Sequence, residues 1–222
     1  MSMVTIAIDG PAAAGKSTCS KMLAKRLGLM LVDTGALYRS IALQAQRTGV
    51  PIDAEDALAE LAQALDVRFS FDGTTNRTIL CGEDVSHLIR TPEISASASH
   101  ISAWPKVRSG LMDLQRQLAS RPPGAVLEGR DIGTVVLPGA TAKFFLTASI
   151  EVRARRRYDE LVARQGVASV EFAAVLASEE ERDRRDSTRS VAPLVQAPDA
   201  VLLDTSVLSL EEVVERMISA VQ

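Results

Sequence analysis

The segment Val4–Ser17, VTIAIDGPAAAGKS, decides the fold. Its first six residues form a short apolar run rich in β-branched side chains, which predicts a buried strand that ends at Gly10. The rest of the segment matches the pattern G-x-x-x-x-G-K-[ST], and the apolar spacing from there to Leu27 predicts a helix. A strand, a glycine-rich loop and a helix in this order are the context that a phosphate-binding P-loop requires.

The P-loop predicts a site for the phosphates of a nucleoside triphosphate. Backbone N–H groups of such a loop converge on phosphate oxygens, and the helix N-terminus adds a favourable partial charge. We expect Lys16 to reach the β- and γ-phosphates and the Ser17 hydroxyl to bind Mg²⁺, the metal ion expected with ATP. The residues expected to bind ATP are Gly10, Pro11, Ala12, Ala13, Ala14, Gly15, Lys16, Ser17 and Thr18.

Strand and helix patterns alternate along most of the chain. Four further strands are predicted, at Leu29–Val32, Ala125–Glu128, Ala142–Thr147 and Ala200–Asp204. Helices are predicted at Ser17–Leu27, Ala36–Arg47, Asp53–Leu65 (with Asp53 as N-cap), Thr91–Ala103, Pro105–Ala119, Ile150–Gln165, Ser169–Asp186 and from Ser209 to near the last residue. This alternation favours an α/β fold of the P-loop NTPase type, with three layers and a central parallel five-stranded sheet.

One segment departs from this alternation. Val67–Phe71 and Arg77–Leu80 alternate apolar and polar residues on either side of a turn-forming stretch, which indicates an antiparallel hairpin. We therefore predict one domain over residues 1–222. Its core would comprise residues 1–65 and 91–222, with an antiparallel β insert at about 66–90 and a helical lid at about 150–190.

The predicted lid is rich in arginine. Nine arginines and no lysine lie between Arg153 and Arg189. Two sets of three share one helix face each through their spacing, Arg153, Arg156 and Arg157 in the first, and Arg182, Arg185 and Arg189 in the second. Guanidinium groups bind phosphate oxygens bidentately and stay charged, so these faces suit a lid that closes over a phosphoryl group in transfer. A solvated face with acidic partners on the same helix is the alternative.

Composition and charge exclude several other classes. The formal net charge is −3, so no global basic field favours nucleic acid or an anionic membrane. The N-terminus lacks the pattern of a signal peptide, and no apolar run reaches the roughly 18 residues of a membrane span. Two cysteines are too few for a disulfide framework. We expect a cytoplasmic monomer that binds neither nucleic acid nor membrane.

A P-loop alone does not separate kinases from GTPases and motors. Guanine-specific GTPases read the base with an Asn-Lys-x-Asp element, whereas Asn76 is the single asparagine here and Arg77 follows it. No Asp-x-x-Gly sequence occurs either. A guanine switch is therefore disfavoured, and a small-molecule kinase is the leading interpretation at this chain length.

Two further motifs follow predicted strands. Asp33–Arg39 (DTGALYR) follows the second strand and Glu128–Val136 (EGRDIGTVV) follows the third. Ligands of open α/β sheets bind in the crevice at the carboxyl ends of the strands, where both motifs would lie. Within the second motif, Arg130 suits a phosphate group and Asp131 suits a polar group of a substrate. An internal contact between these two residues without any ligand is the alternative.

Four segments together resemble the bacterial cytidylate kinase family of nucleoside monophosphate kinases: DGPAAAGKST, DTGALYR, EGRDIGTVV and ERDRRDSTR. The resemblance extends from the first predicted strand to the last, and the predicted hairpin region is similar to the enlarged nucleotide-binding insert of the bacterial members. The resemblance implies phosphorylation of CMP and dCMP, with ATP as phosphoryl donor and Mg²⁺ as cofactor. The alternative is another small-molecule P-loop kinase.

The resemblance also implies roles for individual residues. Cytosine would be read by Thr34, Ser99, Arg108 and Asp131. Tyr38 would lie against the base, Asp186 would bind the sugar hydroxyls, and the acceptor phosphate would be held by Arg39, Arg130 and Arg189. The residues expected to act in catalysis are Lys16, Arg130, Arg153, Arg157, Arg182 and Arg185. Purely structural roles are the alternative for Tyr38, Ser99 and Arg108.

Overall fold

A computed structural model describes residues 3–166 and 170–221. Within these residues the strands are β1 (Val4–Asp9), β2 (Met30–Asp33), β3 (Val67–Phe71), β4 (Asn76–Leu80), β5 (Glu83–Asp84), β6 (Gly124–Glu128), β7 (Ala142–Thr147) and β8 (Val201–Asp204). The α-helices are α1 (Lys16–Leu27), α2 (Thr34–Thr48), α3 (Glu55–Gln63), α4 (Pro92–Ile101), α5 (Pro105–Ala119), α6 (Ile150–Gln165), α7 (Phe172–Thr188) and α8 (Leu210–Val221). None of these helices has the length and apolar character of a membrane span.

Five strands form a parallel sheet in the order β2-β6-β1-β7-β8. Successive residues of β1 point to opposite faces, as strand geometry requires. Ile6 and Ile8 pack with α1 and α8, whereas Ala7 packs with the apolar cluster of α2, α3, α4 and α5. The three-layer α/β fold with a five-stranded parallel sheet is therefore confirmed.

Local signals account for most helix ends. Gly28 and Gly49 follow α1 and α2 with φ of 65° and 72°, the left-handed conformation that favours glycine. Thr91 caps α4 by accepting a hydrogen bond from the Ile94 N–H, and Pro92 occupies the first helical position. Ser209 and Glu212 form a reciprocal capping box before α8.

The third helix differs from its prediction. It begins at Glu55 rather than Asp53, and no side chain caps it. The Asp53 carboxylate lies 2.9 Å from Nε2 of His100 in α4 instead. The prediction of Asp53 as an N-cap is wrong, because a tertiary partner takes the side chain that local sequence would assign to the helix end. The predicted start of the second lid helix, Ser169, lies outside the described residues.

The insert forms a second sheet in the order β3-β4-β5, with antiparallel pairing. The hairpin of β3 and β4 matches the sequence pattern. The third strand contains only two residues and has no alternation to reveal it. Val67, Leu80 and Val85 are buried in the same apolar cluster as α2 and α3. The insert therefore packs on the side of the main sheet that carries α2 and α3.

Phe144 provides a test of the core. It lies on β7 beside β1, is 1% exposed, and packs in the cluster with α1 and α8. Phe144→Ala should lower the free energy of unfolding in urea by about 3–5 kcal/mol, because it removes a large buried side chain and leaves a cavity. As a control, Val207→Ala should change it by less than about 0.5 kcal/mol, since Val207 is 82% exposed. A loss below about 1 kcal/mol for Phe144→Ala would contradict this packing.

Candidate active site

A cavity of about 720 Å³ opens where β1, β2 and β6 end. Its walls come from the P-loop, from the segments that follow β2 and β6, and from α4, α5, α6 and α7. The predicted site residues that line it are Ala12, Ala13, Gly15, Lys16, Ser17, Thr18, Thr34, Tyr38, Arg39, Ser99, Arg108, Arg130, Asp131, Arg157, Arg182, Asp186 and Arg189. Gly10, Pro11, Ala14, Arg153 and Arg185 are not among the lining residues.

The P-loop passes tightly against β7. A Cβ atom on Gly10 would lie 2.0 Å from the Leu146 carbonyl oxygen, so only glycine fits at this position. The Lys16 ammonium donates to the carbonyl oxygens of Gly10 (2.8 Å) and Pro11 (2.6 Å). Burial lowers the Lys16 pKa well below its ordinary value, and the nearby Arg130 cation acts in the same direction. A bound phosphate would oppose both effects by supplying negative charge.

Ser17 and Glu128 bring two oxygen ligands together. Ser17, in the first turn of α1, donates its hydroxyl hydrogen to Oε2 of Glu128 at the end of β6, at 2.8 Å. Burial raises the Glu128 pKa to about 7, and the Asp33 carboxylate contributes further. A hydroxyl and a carboxylate oxygen suit Mg²⁺, which binds few protein oxygens and completes its shell with phosphates and water. In residues 3–166 and 170–221, no group of three or more His, Cys, Asp or Glu side chains could hold a metal ion.

Buried charges of opposite sign form a pocket at the far end of the cavity. The Asp131 carboxylate accepts a hydrogen bond from Nη2 of Arg108, and Nη2 of Arg189 lies 3.7 Å from its other oxygen. The Arg108 guanidinium stands 5.7 Å from the centre of the Tyr38 ring. Desolvation raises the pKa of the Tyr38 hydroxyl, which therefore stays neutral. The charged groups and the Tyr38 ring of this pocket suit a flat, hydrogen-bonding ring.

Arginines occupy the space between the P-loop and this pocket. Nε of Arg130 donates to Oδ2 of Asp186 at 2.8 Å, so Arg130 and Asp131 each have a different partner. Burial, followed by the charge of Arg130, lowers the Arg182 pKa to about 10. Among the residues that the structure describes, three buried guanidinium nitrogens lack a hydrogen-bond partner: Nε of Arg39, Nε of Arg182 and Nη2 of Arg189. Unpaired buried donors are costly, and phosphate oxygens would satisfy them.

The predicted lid arginines have distinct roles. Arg153 is buried, and its two terminal nitrogens donate to the Asp183 carboxylate of α7, which joins α6 to α7. Arg156 lines the cavity instead, and its guanidinium donates to Oγ1 of Thr205 at 2.9 Å. Nη1 of Arg185 donates to Oγ of Ser99 at 2.9 Å, which joins α7 to α4. The spacing of the arginines along each helix therefore did not predict which of them line the cavity.

Several lining residues were not assigned roles from the sequence. Asp33 caps α2 through the Ala36 N–H and pairs with Nη2 of Arg39 at 2.6 Å. Arg90 lies 3.8 Å from the same carboxylate and reaches the cavity from the end of the insert. Glu128 and Asp33 end strands within the quoted motifs, a signal that could have identified them. Nothing in the sequence pattern marks Arg90.

The fold and this site define a P-loop phosphotransferase. The site combines a P-loop with arginines that line the cavity and with a pocket that suits a polar ring. This combination is typical of a kinase that phosphorylates a nucleotide. The family model described as cytidylate kinase matches residues 6–222. The chain belongs to the cytidylate kinase family, and the resemblance noted in the four motifs is confirmed.

Curated relatives support this assignment over nearly the whole chain. The cytidylate kinase of Citrifermentans bemidjiense is 51% identical over 219 residues, which cover 99% of this chain and 93% of that protein. The cytidylate kinase of Pseudomonas aeruginosa is 52% identical over 216 residues, or 96% of this chain and 93% of that protein. A crystal structure of an uncharacterized protein from Eubacterium ventriosum superposes with a TM-score of 0.56 at 11% identity, covering 99% of this chain and 98% of that one. At this sequence identity, the similarity to that structure supports the fold only.

Proposed function

We propose that this protein transfers the γ-phosphoryl group of ATP to CMP and dCMP, producing ADP and CDP or dCDP. The observation that carries the proposal is one cavity that joins the P-loop to the pocket of Arg108 and Asp131. Its volume of about 720 Å³ suits small-molecule substrates. Membership of the cytidylate kinase family supports the same substrates and donor.

The pocket around Asp131 would read cytosine. The base has an N4 amino group, which would donate to the carboxylate, whereas its N3 and O2 atoms would accept hydrogen bonds from Arg108 and from the hydroxyl of Ser99. The Thr34 hydroxyl donates to the Glu128 carbonyl oxygen at 2.7 Å, so Thr34 would meet the base with its oxygen as an acceptor. Uracil has O4 in place of the amine, so it would face Asp131 with an acceptor. A buried polar group left unpaired in this way discriminates strongly between substrates. Tyr38 would pack beside the base, because its ring lies next to Arg108.

Charge and positioning would carry the transfer. The acceptor phosphate is already an anionic nucleophile, so no general base is required. Nε of Arg39 and Nη2 of Arg189, which have no hydrogen-bond partner in the described part of the chain, would bind and align the acceptor phosphate together with Arg130. Lys16, Arg157 and Arg182 would stabilise charge on the transferred group. Ser17 and Glu128 would hold Mg²⁺, which would supply positive charge to neutralise the donor phosphates.

Asp186 and the lid contacts complete this assignment. Asp186 lines the cavity next to Arg130 and is proposed to bind the sugar hydroxyls. Arg153 and Arg185 would act through the helices that they join rather than through substrate contact. We further propose that residues 66–90 and 150–190 close over both substrates to exclude water and suppress ATP hydrolysis. The protein is proposed to act as a monomer in the cytoplasm, in pyrimidine nucleotide metabolism.

An acceptor panel tests the function. ADP release should be measured by a coupled assay with Mg²⁺–ATP and each of CMP, dCMP, UMP, AMP, GMP and dTMP. We expect the highest kcat/KM with CMP or dCMP. An absence of acceptor-dependent turnover would exclude the kinase function. A clear preference for another acceptor would favour a different small-molecule P-loop kinase.

Asp131→Asn tests how the base is read. The amide offers a donor as well as an acceptor, and Arg108 loses its anionic partner. We expect kcat/KM for CMP to fall by roughly 10²-fold, as for loss of a hydrogen bond to a charged group, and the preference for CMP over UMP to fall towards unity. Asp113→Asn on the exposed side of α5 is the matched control and should retain both values. Undiminished preference in Asp131→Asn would exclude the carboxylate as the group that reads N4.

A further inference from the structure

The turn that carries Asp131 has an unusual N-terminus. Ile132–Val136 form one helical turn, and Asp131 occupies its N-cap position. An aspartate at this position normally accepts hydrogen bonds from the first N–H groups of its own turn. Asp131 makes no such bond. Its carboxylate contacts Arg108 and Arg189 in the base pocket instead.

Asp9 caps the turn in its place. Asp9 is the last residue of β1 and directly precedes the P-loop. Its Oδ1 accepts a hydrogen bond from the Ile132 N–H at 2.8 Å, and its Oδ2 accepts one from the Gly133 N–H at 2.7 Å. Asp9 is 4% exposed, so neither N–H group has solvent as an alternative partner. Asp9, the last residue of β1, therefore supplies the acceptors for two buried N–H groups.

Burial makes a charged carboxylate at Asp9 energetically costly. Burial raises the Asp9 pKa to about 6, with the Asp131 carboxylate contributing, while the two N–H groups and the Lys16 cation oppose the shift. Gly133 permits the close approach. A Cβ atom there would lie 3.4 Å from Oδ2 of Asp9 and 3.1 Å from Cδ of Lys143.

We propose that Asp9 is a positioning residue for base selectivity: by capping the turn at Ile132 and Gly133, it keeps the Asp131 carboxylate in the base pocket beside Arg108, where it can read the acceptor base. Buried N–H groups without an acceptor are costly. If Asp9 could not accept from them, the nearest carboxylate in sequence would be that of Asp131, already at the N-cap. Asp131 would then turn towards its own backbone and away from Arg108. The inference rests on the role of Asp131 in the proposed function.

Asp9→Asn provides the test, because it keeps the shape and removes one acceptor. The amide oxygen can accept from one N–H group, while the amide nitrogen faces the other donor. We expect KM for CMP to rise about 10-fold and the ratio of kcat/KM for CMP to that for UMP to fall about 10-fold, the size of one lost hydrogen bond to a charged group. KM for ATP, measured at saturating CMP, should change less than KM for CMP, because the Asp9 carboxylate bonds directly to the turn at Ile132 and Gly133 and acts on Lys16 only through its charge.

Asp199→Asn is the matched control. Asp199 pairs with Lys143, whose side chain packs against Gly133, and it is not among the residues that line the cavity. Its CMP-to-UMP ratio should equal that of the wild type. An equal loss of kcat/KM for CMP and UMP in Asp9→Asn, with the ratio unchanged, would reduce Asp9 to a structural role and overturn the proposal. An increase in KM for ATP as large as that for CMP would overturn it too.

A second variant keeps the proposal testable if Asp9→Asn does not fold. Gly133→Ala retains Asp9 but places a methyl group 3.1 Å from Cδ of Lys143 and 3.4 Å from Oδ2 of Asp9, so we expect the turn to move slightly away from Asp9 and the CMP-to-UMP ratio to fall in the same direction. An unchanged ratio in Gly133→Ala would then count against the proposal. The CMP-to-UMP ratio of the wild type tests the proposed function independently of the inference about Asp9. A wild type without preference for CMP would refute the proposed reading of cytosine, whatever the variants do.

Discussion

Replacing Arg130 with alanine should lower kcat for CMP phosphorylation by roughly 10³-fold, because the acceptor phosphate would lose a cation that aligns it for attack. Arg130 lies between the P-loop and the base pocket, and its side chain is only 18% exposed. It bonds to Asp186 through Nε and lies close enough to Lys16 to depress the lysine pKa. Its removal takes away charge where the acceptor phosphate would be held.

ATP binding by Arg130→Ala should remain close to that of the wild type. The P-loop backbone and Lys16 are unchanged, and loss of a neighbouring cation relieves the effect that lowers the Lys16 pKa. Binding can be measured by calorimetry with a non-hydrolysable ATP analogue, beside steady-state kinetics. Arg184→Ala is the matched control, because Arg184 lies on α7, is 67% exposed, and bonds to Glu181. A loss of less than about tenfold in kcat for Arg130→Ala would exclude its proposed role.

Lys16→Met should produce a loss of comparable size, about 10³-fold or more in kcat, together with weaker ATP binding. Methionine keeps much of the length of the side chain and removes the ammonium group. That group lies within 2.6–2.8 Å of the carbonyl oxygens of Gly10 and Pro11 in the P-loop, and Lys16 is 7% exposed. Within the part of the chain that the structure describes, Lys21 is the other lysine that lines the cavity, and it lies further along α1.

Lys25→Met is the control for this variant. Lys25 is exposed in the last turn of the same helix, so its replacement should leave kcat and KM within about twofold of the wild type. Thermal unfolding of both variants shows whether the helix is intact. Retention of more than about a tenth of wild-type kcat by Lys16→Met would show that the P-loop amides alone support transfer.

The fold was largely predictable because its signals are local. The five strands of the main sheet are short apolar runs bounded by glycine, proline or helix caps, and each appears within a residue of its predicted position. Gly28, Thr91 and the Ser209–Glu212 capping box act on neighbouring residues, so their effects follow from sequence. The family was also predictable, since three motifs that follow β1, β2 and β6 and a fourth motif in α7 contribute residues to one cavity.

The details of the site depend on partners that are distant in sequence. Arg153 and Arg156 have the same pattern on one helix, yet only Arg156 lines the cavity, because Asp183 of α7 takes the Arg153 guanidinium. Asp53 illustrates the same effect, since His100 takes the side chain expected to cap a helix. Such pairings arise only when elements pack together.

The sequence by itself determined the three-layer fold, the P-loop and the crevice in which two nucleotides are proposed to meet. It did so because strand periodicity, helix caps and glycine-rich turns are properties of short segments. The tertiary structure alone decided which arginines face the cavity and that Asp9, 123 residues from Ile132, caps the turn beside the base pocket. Burial is the physical reason: a side chain or N–H group removed from water takes the partner that packing places beside it.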